Sequence, residues 1–343
     1  MGTFLQPRPS GIADRVLSVL RCLECLGHLD PETSGLVCVD CGRKYPVVNG
    51  VARFVDQQQY ARSFGFQWKI YARTQLDTEE CNLSEVAFRR RTGFASEDFA
   101  GKLVLDVGCG MGRFAEIATR WGANVVGVDL SLATEVAARN LHDRDATILQ
   151  ADVFRLPFAP ESFDFIYSIG VLHHTPDCER AFKALPRLLK PAGRIAVWLY
   201  SGYNPWYRMS DLYRKITRRL PPRLLHAACY GVVPLYAIHH ALKKIPAIGN
   251  QVSSGLAYAL PISFHPLWEW RILDTFDWYS PWYQSKHTYE EVFRWFEECG
   301  LEQLRVLEQP LGVQGRRPAV SEVEQNREHR DPESLEVLSD RAR

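Results

Sequence analysis

The chain has 343 residues, 41 Lys and Arg against 40 Asp and Glu, and a hydrophobic fraction of 46%. This length can bury a large core and allows two or three domains. The near balance of charge argues against a whole-molecule field of the kind that attracts nucleic acid. Residues 1–20 lack a continuous apolar segment, and no uncharged apolar run approaches the roughly 20 residues that span a bilayer. We therefore expect a cytoplasmic protein.

Four of the nine cysteines form two C-x-x-C pairs near the N-terminus. Two such pairs supply four thiolates with the spacing of a tetrahedral Zn²⁺ site, and four thiolates leave no coordination position for a substrate. Two redox pairs or a disulfide staple are the alternatives. Because the pairs are duplicated and no secretory signal is expected, we predict a structural zinc site. Its ligands are Cys22, Cys25, Cys38 and Cys41.

The zinc-ribbon-like β module ends in "RKYPVVNGVARF", which alternates apolar residues around an Asn-Gly pair and predicts a small hairpin. From residue 101, short apolar strands alternate with amphipathic helices, which predicts right-handed crossovers and a parallel sheet covered on both faces. The predicted helices are 112–121, 131–141 and 177–189. The predicted strands are 103–107, 124–128, 146–150, 164–168 and 194–200.

The alternation of strands and helices stops after Tyr200 for 87 residues and resumes with "HTYEEVFRWFEECGLEQLRVL". Residues 201–250 hold eight Lys and Arg and one acid, Asp211, between apolar segments. A basic amphipathic region can lie on an anionic membrane or hold a phosphorylated lipid carrier. A helical cap with its own aromatic core is the simpler interpretation, with the acceptor beneath it.

We thus divide the chain into six parts. They are a lead (1–19), a zinc-ribbon-like module (20–56), a helical lid or linker (57–100), a doubly wound α/β domain (101–200 and 288–317), an aromatic and basic helical insertion (201–287) and a disordered tail (318–343).

The stretch "KLVLDVGCGMGRFAEIA" places a carboxylate and a glycine loop at the end of the first strand of the α/β domain. In an open parallel sheet, ligands bind beyond the carboxyl ends of the strands. Gly108 and Gly110 allow a ligand to approach backbone N–H groups, and the next helix offers its positive N-terminus. Gly110, Gly112 and Ala115 also satisfy the dinucleotide pattern G-x-G-x-x-A, so a nicotinamide enzyme is a rival.

Three acids at successive strand ends favour a different ligand. Asp106 would repel a pyrophosphate but attract a cationic amine. Asp129 can accept hydrogen bonds from ribose hydroxyls, and Asp152 can accept one from an adenine amine. Ammonium, ribose and adenine together describe S-adenosylmethionine.

The stretches "VLDVGCGMGRFA", "VVGVDLS", "QADVFRLPFAPESFDFIYSIGVLHHTPD" and "LPRLLKPAGRIAVWLY" resemble successive motifs of class I S-adenosylmethionine-dependent methyltransferases. They are similar to the type 11 branch, which includes quinone-biosynthesis enzymes. The resemblance covers roughly 100–200 and 288–310. It implies a Rossmann-like sheet of seven strands with an antiparallel hairpin at one edge.

The resemblance also implies roles for matching residues. Asp106, Gly108 and Gly110 would hold the methionyl part of the cofactor. Asp129 would bind the ribose, with Leu130 beside it. Asp152 and Val153 would bind the adenine, and Ile169 would lie next to the cofactor.

Methyl transfer needs alignment of a nucleophile with an already activated methyl group, and a hydroxyl acceptor usually also needs a base. His173 and His174 follow the fourth strand, and His287 precedes the late helix, so these three are our candidate catalytic residues. A packing or hydrogen-bonding role is the alternative for each. The capping-box spacing of Thr288 and Glu291 accounts for those two residues without catalysis.

The zinc module resembles the zinc-binding heads of ribosomal RNA guanine methyltransferases and the zinc-binding activators of transfer-RNA methyltransferases. Residues 1–56 carry no strong basic cluster, however, and "SIGV" replaces the Asn-Pro-Pro-Tyr-like tetrapeptide of amino-group RNA methylases. We therefore favour methylation of a small-molecule, glycan or lipid-linked acceptor at oxygen, with peripheral membrane contact through 201–250 as a further candidate. An RNA methyltransferase and a non-catalytic cofactor-binding adaptor are the alternatives.

Overall fold

The structure is a computed structural model that describes residues 12–55, 59–204, 207–245 and 248–319. The strands formed by these residues are β1 (Leu29–Glu32), β2 (Gly35–Cys38), β3 (Lys44–Val48), β4 (Val51–Arg53), β5 (Leu103–Val107), β6 (Asn124–Asp129), β7 (Ala146–Gln150), β8 (Phe163–Ile169), β9 (Leu189–Trp198), β10 (Glu302–Val306) and β11 (Gly312–Arg316). The α-helices are α1 (Asp14–Leu17), α2 (Arg62–Ile70), α3 (Leu83–Thr92), α4 (Arg113–Arg120), α5 (Ala133–Asn140), α6 (Cys178–Lys183), α7 (Tyr207–Thr217), α8 (Pro222–Val232), α9 (Leu235–Leu242), α10 (Gly249–Ala259), α11 (Trp268–Tyr279) and α12 (Tyr289–Glu298).

The strands form one sheet in the order β1-β2-β3-β4-β7-β6-β5-β8-β9-β11-β10. β4, β7, β6, β5, β8 and β9 pair in parallel, and β11 is antiparallel to both β9 and β10. The last seven strands in this order are the predicted Rossmann-like sheet with its antiparallel edge, so the predicted fold class is confirmed. The parallel order places the carboxyl ends of β5, β6, β7 and β8 along the same rim.

The predicted strand count needs a correction, because the four strands of the N-terminal module extend the same sheet. Ala52 and Arg53 of β4 pair with Leu149 and Gln150 of β7. The Arg53 guanidinium reinforces the junction by donating to Gln150 Oε1 over 2.6 Å and by pairing with Glu135. The module is therefore part of the main sheet.

The predicted hairpin at the end of the module is confirmed as β3 and β4. Val48 pairs with Val51 across a two-residue turn at Asn49 and Gly50. Both turn residues have positive φ, 54° and 77°, which is the conformation that favours Asn-Gly in tight hairpins.

The predicted strands and helices of the α/β domain are confirmed in type and place, with one helix shorter than expected. α6 ends at Lys183, whereas the prediction ran to 189. Pro186 opens a separate 3-10 turn at this point, because proline lacks the N–H that would continue the α-helix. Thr288 and Glu291 form the predicted capping box of α12.

One hydrophobic core joins the module to the α/β domain. Ile12, Val16 and Leu20 are buried in the same cluster as Leu149 and Phe163. The lead that we placed at 1–19 is therefore docked from residue 12 onward. Residues 1–11 and most of the predicted tail, 320–343, lie outside the described residues.

The insertion forms a helical cap with a core of its own. Leu225, Cys229 and Val233 pack with Ile272 and Phe276 of α11. This core attaches α7 and α8 to α11, which in turn faces the strand ends. Among the described residues, no helix is both long and apolar enough to cross a membrane.

Candidate active site

A cavity of about 450 Å³ lies at the carboxyl ends of β5, β6 and β8. The glycine loop and the strand ends form one wall, and α2 and α11 form the opposite walls. Of the predicted site residues, those that line the cavity are Gly108, Gly110, Asp129, Leu130, Val153, Ile169 and His174. The fold thus brings together residues that are up to 66 positions apart in the sequence.

The glycine loop, called the glycine cradle below, lines the cavity and packs too closely on neighbouring residues to leave room for side chains. Gly108 has φ +81°, and a Cβ there would lie 2.3 Å from Val171 Cγ1. Gly110 has φ +54°, and a Cβ there would lie 3.1 Å from Trp68 Nε1 in α2. Both positions therefore need glycine for backbone conformation and for space.

Asp129 fixes the glycine loop to the end of β6. Its Oδ2 accepts from the Gly110 N–H over 3.0 Å, and its Oδ1 accepts from the Ser131 N–H and hydroxyl. Burial raises the pKa of Asp129, and these hydrogen bonds oppose the rise. Oδ1 thus accepts two hydrogen bonds and Oδ2 only one, so Asp129 can still accept from a ligand hydroxyl through Oδ2.

Asp106 is only 3% exposed at the end of β5 and does not itself line the cavity. Its Oδ2 has no hydrogen-bond partner among the described residues. Burial raises the pKa of Asp106 to about 8, and the charge of Asp129 adds to the rise. The Tyr167 hydroxyl partly offsets the rise without reaching hydrogen-bonding geometry. A buried carboxyl with an unpartnered oxygen suits a cationic ligand group.

Asp152 has a local role that the sequence did not indicate. Its Oδ1 accepts from the Phe154 N–H over 3.0 Å and caps a 3-10 turn. Asp152 does not line the cavity, whereas Val153 does. Burial raises the pKa of the cavity residue Tyr60, and the nearby charges of Asp152 and Asp129 raise it further. Asp152 therefore lies close to the site.

His174 is the one predicted catalytic histidine that lines the cavity. Its Nδ1 lies 3.0 Å from the Tyr283 carbonyl oxygen. Because a carbonyl only accepts, Nδ1 must carry the hydrogen, and Nε2 of the neutral ring then has a free lone pair. Burial lowers the pKa of His174, while the charge of Asp277 opposes this.

The structure does not bring His173 or His287 to the cavity. His173 is fully buried and stacks on Tyr200 at 4.0 Å between ring centroids. His287 contacts the Ser285 hydroxyl through Nε2 at 2.7 Å and lies against Trp295. Both rings thus make packing contacts away from the cavity, which agrees with the packing alternative for each residue.

Two acids of α11 that the sequence analysis missed also line the cavity, Asp274 and Asp277. Asp277 accepts from Gln67 Nε2 and from the Tyr200 hydroxyl. Burial raises the pKa of Asp274 to about 6. The sequence did contain a signal for them, since the two carboxylates are three residues apart in the largely aromatic and apolar "WRILDTFDWY" and must share one helix face.

Arg113 is a further cavity residue that the sequence analysis missed. Its guanidinium donates to the Ser84 hydroxyl and to Gln75 Oε1, and it lies over the Trp270 ring. Burial lowers the pKa of Arg113 to about 9. The cavity therefore carries both positive and negative groups at the end covered by α11.

The four predicted zinc ligands form one cluster, with all four Sγ atoms within 4.8 Å of one another. Cys22 and Cys41 approach to 3.6 Å, and Cys25 and Cys38 to 3.3 Å. Tetrahedral Zn²⁺ with Zn–S bonds of about 2.3 Å places its sulfurs about 3.8 Å apart, so the cluster fits this metal.

Tyr45 supports the cluster from outside it. Its hydroxyl lies 3.3 Å from Cys22 Sγ and accepts from the Leu23 N–H. Burial alone would raise the pKa of Cys22, but hydrogen bonds from Tyr45 and from the backbone lower it to about 6. A thiolate at this position is what a metal ligand requires.

Two parts of the chain match known protein families. Residues 105–197 match the methyltransferase domain family, and residues 14–50 match the Trm112p-like protein family. The chain therefore carries a methyltransferase domain preceded by a Trm112p-like module with a four-cysteine cluster. The predictions of the domain and of the cysteine module are thereby confirmed.

Of three relatives of the methyltransferase domain, one name states tRNA, one states a sterol and one states no acceptor. A probable tRNA methyltransferase 9B of Mus musculus is 33% identical over 149 residues, which are 42% of this chain and 32% of that protein. Methyltransferase GfsG of Streptomyces halstedii is 39% identical over 105 residues, 29% of this chain and 37% of that protein. Sterol 24-C-methyltransferase erg6 of Aspergillus fumigatus is 38% identical over 120 residues, 32% of each chain. The chain thus spans about a third of the length of these relatives.

Proposed function

We propose that the protein is an S-adenosylmethionine-dependent methyltransferase that methylates a small-molecule, glycan or lipid-linked acceptor at oxygen. The observation that carries the proposal is the cradle of Gly108 and Gly110, which shares one cavity with Asp129, Val153 and Ile169. The matching methyltransferase domain spans these residues. When bound, the cofactor supplies a methyl group that its sulfonium already activates.

Each part of the cavity fits a part of this cofactor. The glycine cradle suits the methionyl part, and the buried Asp106 behind the cavity wall would attract the cationic ammonium through its charge. Asp129 and Leu130 suit the ribose, and Val153 and Ile169 provide apolar contact for the adenine and the reacting end. Asp152, which caps the adjacent turn, holds Val153 in place.

We assign His174 as the proton acceptor. The Tyr283 carbonyl fixes its tautomer, so that Nε2 can take the proton that the acceptor hydroxyl loses as its oxygen bonds to the methyl carbon. The nearby Asp277 carboxylate favours the imidazolium that results, and the ring then returns the proton to solvent. Because its pKa is lowered, His174 is neutral and ready to accept at neutral pH.

A second candidate function is RNA methylation. The Trm112p-like match and the relative named as a tRNA methyltransferase favour it. The aromatic and charged cavity wall on α11 is compatible with a base as well as with a metabolite. A transfer experiment separates the two functions.

The experiment incubates the full chain with methyl-labelled donor and three separate acceptor pools: polar metabolites, total lipids and total RNA. We expect label in the metabolite or lipid pool, and mass spectrometry of the labelled compound should locate the methyl on oxygen. His174→Gln should reduce the rate by about 10²–10⁴-fold without weakening donor binding. His142→Gln is the matched control, since the His142 side chain is 77% exposed. Label in RNA alone would replace this proposal with the second candidate, and no label in any pool would support a non-catalytic adaptor.

A further inference from the structure

We propose that the outer cap surface, formed by the solvent-facing sides of α7, α8, α9 and α10, docks on an anionic lipid bilayer. This interaction is separate from the methyl-transfer chemistry and does not depend on the identity of the acceptor. Charge and exposed apolar side chains carry the inference.

The charge of this region has one sign. From Leu212 to Leu260 the sequence contains no Asp or Glu. Arg214 is buried and paired with Asp211, so it belongs to the cap interior. The remaining basic residues of this segment are Lys215, Arg218, Arg219, Arg223, Lys243 and Lys244. Basic residues near a membrane surface are attracted by anionic lipid headgroups, at about 1 kcal/mol each.

Large apolar side chains are exposed between these basic residues. Ile216, next to Lys215, is 70% exposed, and Ile245, next to Lys244, is 46% exposed. Each of the four helices or its flanking turn contributes at least one such side chain. The other exposed aliphatic side chains are Leu212, Leu224, Ile238, Ile248 and Val252. Single exposed apolar residues are common on protein surfaces, but a recurring set without acids is typical of interfacial helices.

The exposed apolar side chains are additional to those that form the core of the cap. The inner face of α8 already buries Leu225 and Cys229 against α11, together with Val233 just after the helix. Ser253 and Ala257 of α10 are also buried, while Val252 is 49% exposed. α8 and α10 therefore each have a buried face, whereas the exposed apolar residues of the cap helices lack a partner within the described chain.

A lipid surface accounts for this combination better than RNA does. RNA phosphates would pair with the lysines and arginines but would make no apolar contact with the exposed isoleucines. A bilayer interface provides anionic headgroups for the cations and an acyl boundary for the isoleucines. The bilayer would contact the cap on the side of α7 and α8 away from α11, whose acids line the cavity.

The test is flotation of the full-length protein with phosphatidylcholine vesicles that contain about 30 mol% phosphatidylserine or none. We expect binding to the anionic vesicles and little binding to the neutral ones. The double substitution Ile216→Glu, Ile245→Glu should reduce partitioning at least about tenfold, because it removes apolar burial and adds repulsion. The double substitution Lys215→Ala, Lys244→Ala should reduce it about fivefold or more.

Val306→Glu is the matched control, because Val306 is 57% exposed on β10, outside the cap. Circular dichroism and donor affinity check that each variant is folded. The proposal is overturned if the wild-type protein does not bind anionic vesicles, or if Val306→Glu loses as much binding as the isoleucine double variant. It is also overturned if the protein binds total RNA but no vesicles, since the surface would then be a nucleic-acid interface.

Discussion

At the scale of single residues, Asp106 is a buried acid whose charge should respond to a bound cation. Burial raises its pKa to about 8, so the carboxyl is mostly protonated at pH 7 in the ligand-free protein. Asp106 does not line the cavity, but a cationic ligand group in the cavity would still favour its carboxylate through charge. Binding of S-adenosylmethionine at pH 7 should therefore release about one proton. Calorimetry in buffers with different ionisation enthalpies measures this release.

The variant Asp106→Asn tests whether the released proton comes from Asp106. It should abolish the release and weaken donor affinity, and in the wild type the release should approach zero above about pH 9, where Asp106 is already ionised. Proton release of the same size in Asp106→Asn would show that another group titrates. A wild-type heat that does not depend on the buffer would contradict the role given to Asp106.

The same raised pKa predicts how the stability of the ligand-free protein depends on pH. A carboxyl whose folded pKa lies above its unfolded value favours folding fully below about pH 4, and this contribution is lost as the pH rises through about 8. Asp106→Asn should therefore be more stable than the wild type at pH 8.5, by on the order of a few kcal/mol, and nearly equal to it at pH 4. Urea unfolding at both pH values measures the difference, and equal stability at pH 8.5 would contradict the assignment.

The site residues differ in how far the sequence could place them. Asp106 and Asp129 end strands that the apolar pattern marks clearly, and strand ends of a parallel sheet meet at one rim. His174 and His287 occupy equally suggestive loops, yet only His174 lines the cavity. His287 stays away from the cavity because its ring packs against Ser285 and Trp295. The local sequence pattern does not encode such packing.

At the scale of elements, α2 covers the glycine loop. A Cβ at residue 110 would lie 3.1 Å from Trp68 Nε1 of α2, and Gly110 has φ +54°. Gly110→Ala should therefore displace α2, strain the loop by about 1–2 kcal/mol and weaken donor affinity at least about tenfold. Gly231→Ala on α8 is the control, because a Cβ there meets nothing within 4 Å. Isothermal titration with donor measures both variants, and wild-type affinity in Gly110→Ala would show that α2 does not depend on this glycine.

The regular elements were more predictable than the cap. β5 to β9 and the hairpin of β3 and β4 follow from apolar runs, turn residues and helix spacing in the sequence. The insertion lacks that alternation, so its charge and aromatic content predicted a helical cap but not which helix faces the cavity. Asp274 and Asp277 reach the cavity because α7 and α8 pack on the other side of α11.

At the scale of the whole molecule, the cysteine module and the methyltransferase domain form one sheet and one core. The pairing of Ala52 with Leu149 joins segments that are distant in the sequence. Motifs alone suggest a boundary between the cysteine module and the methyltransferase domain, because the sequence patterns of the two segments differ. Strand pairing across such a separation is decided by the tertiary fold, which explains why the sequence indicated a separate module.

This continuity predicts that metal loss destabilises the whole protein. The purified chain should contain about one zinc ion, and Cys22→Ser with Cys38→Ser should remove it and lower the single unfolding temperature by several degrees, about 2–4 °C per kcal/mol lost. Cys81→Ser is the control, since Cys81 lies outside the cluster. Metal analysis measures the zinc content, and scanning calorimetry measures the unfolding temperature. A separate low-temperature transition with the main one unchanged would mean that the module folds independently.

The central claim is that the cavity at the carboxyl ends of β5, β6 and β8 binds S-adenosylmethionine through the glycine cradle and Asp129. Its most direct test is isothermal titration of the zinc-loaded chain with S-adenosylmethionine and, separately, with NADH. We predict saturable binding of one S-adenosylmethionine per chain, loss of that binding in Asp129→Ala, and no heat with NADH. Saturable binding of NADH with no response to S-adenosylmethionine would contradict the account.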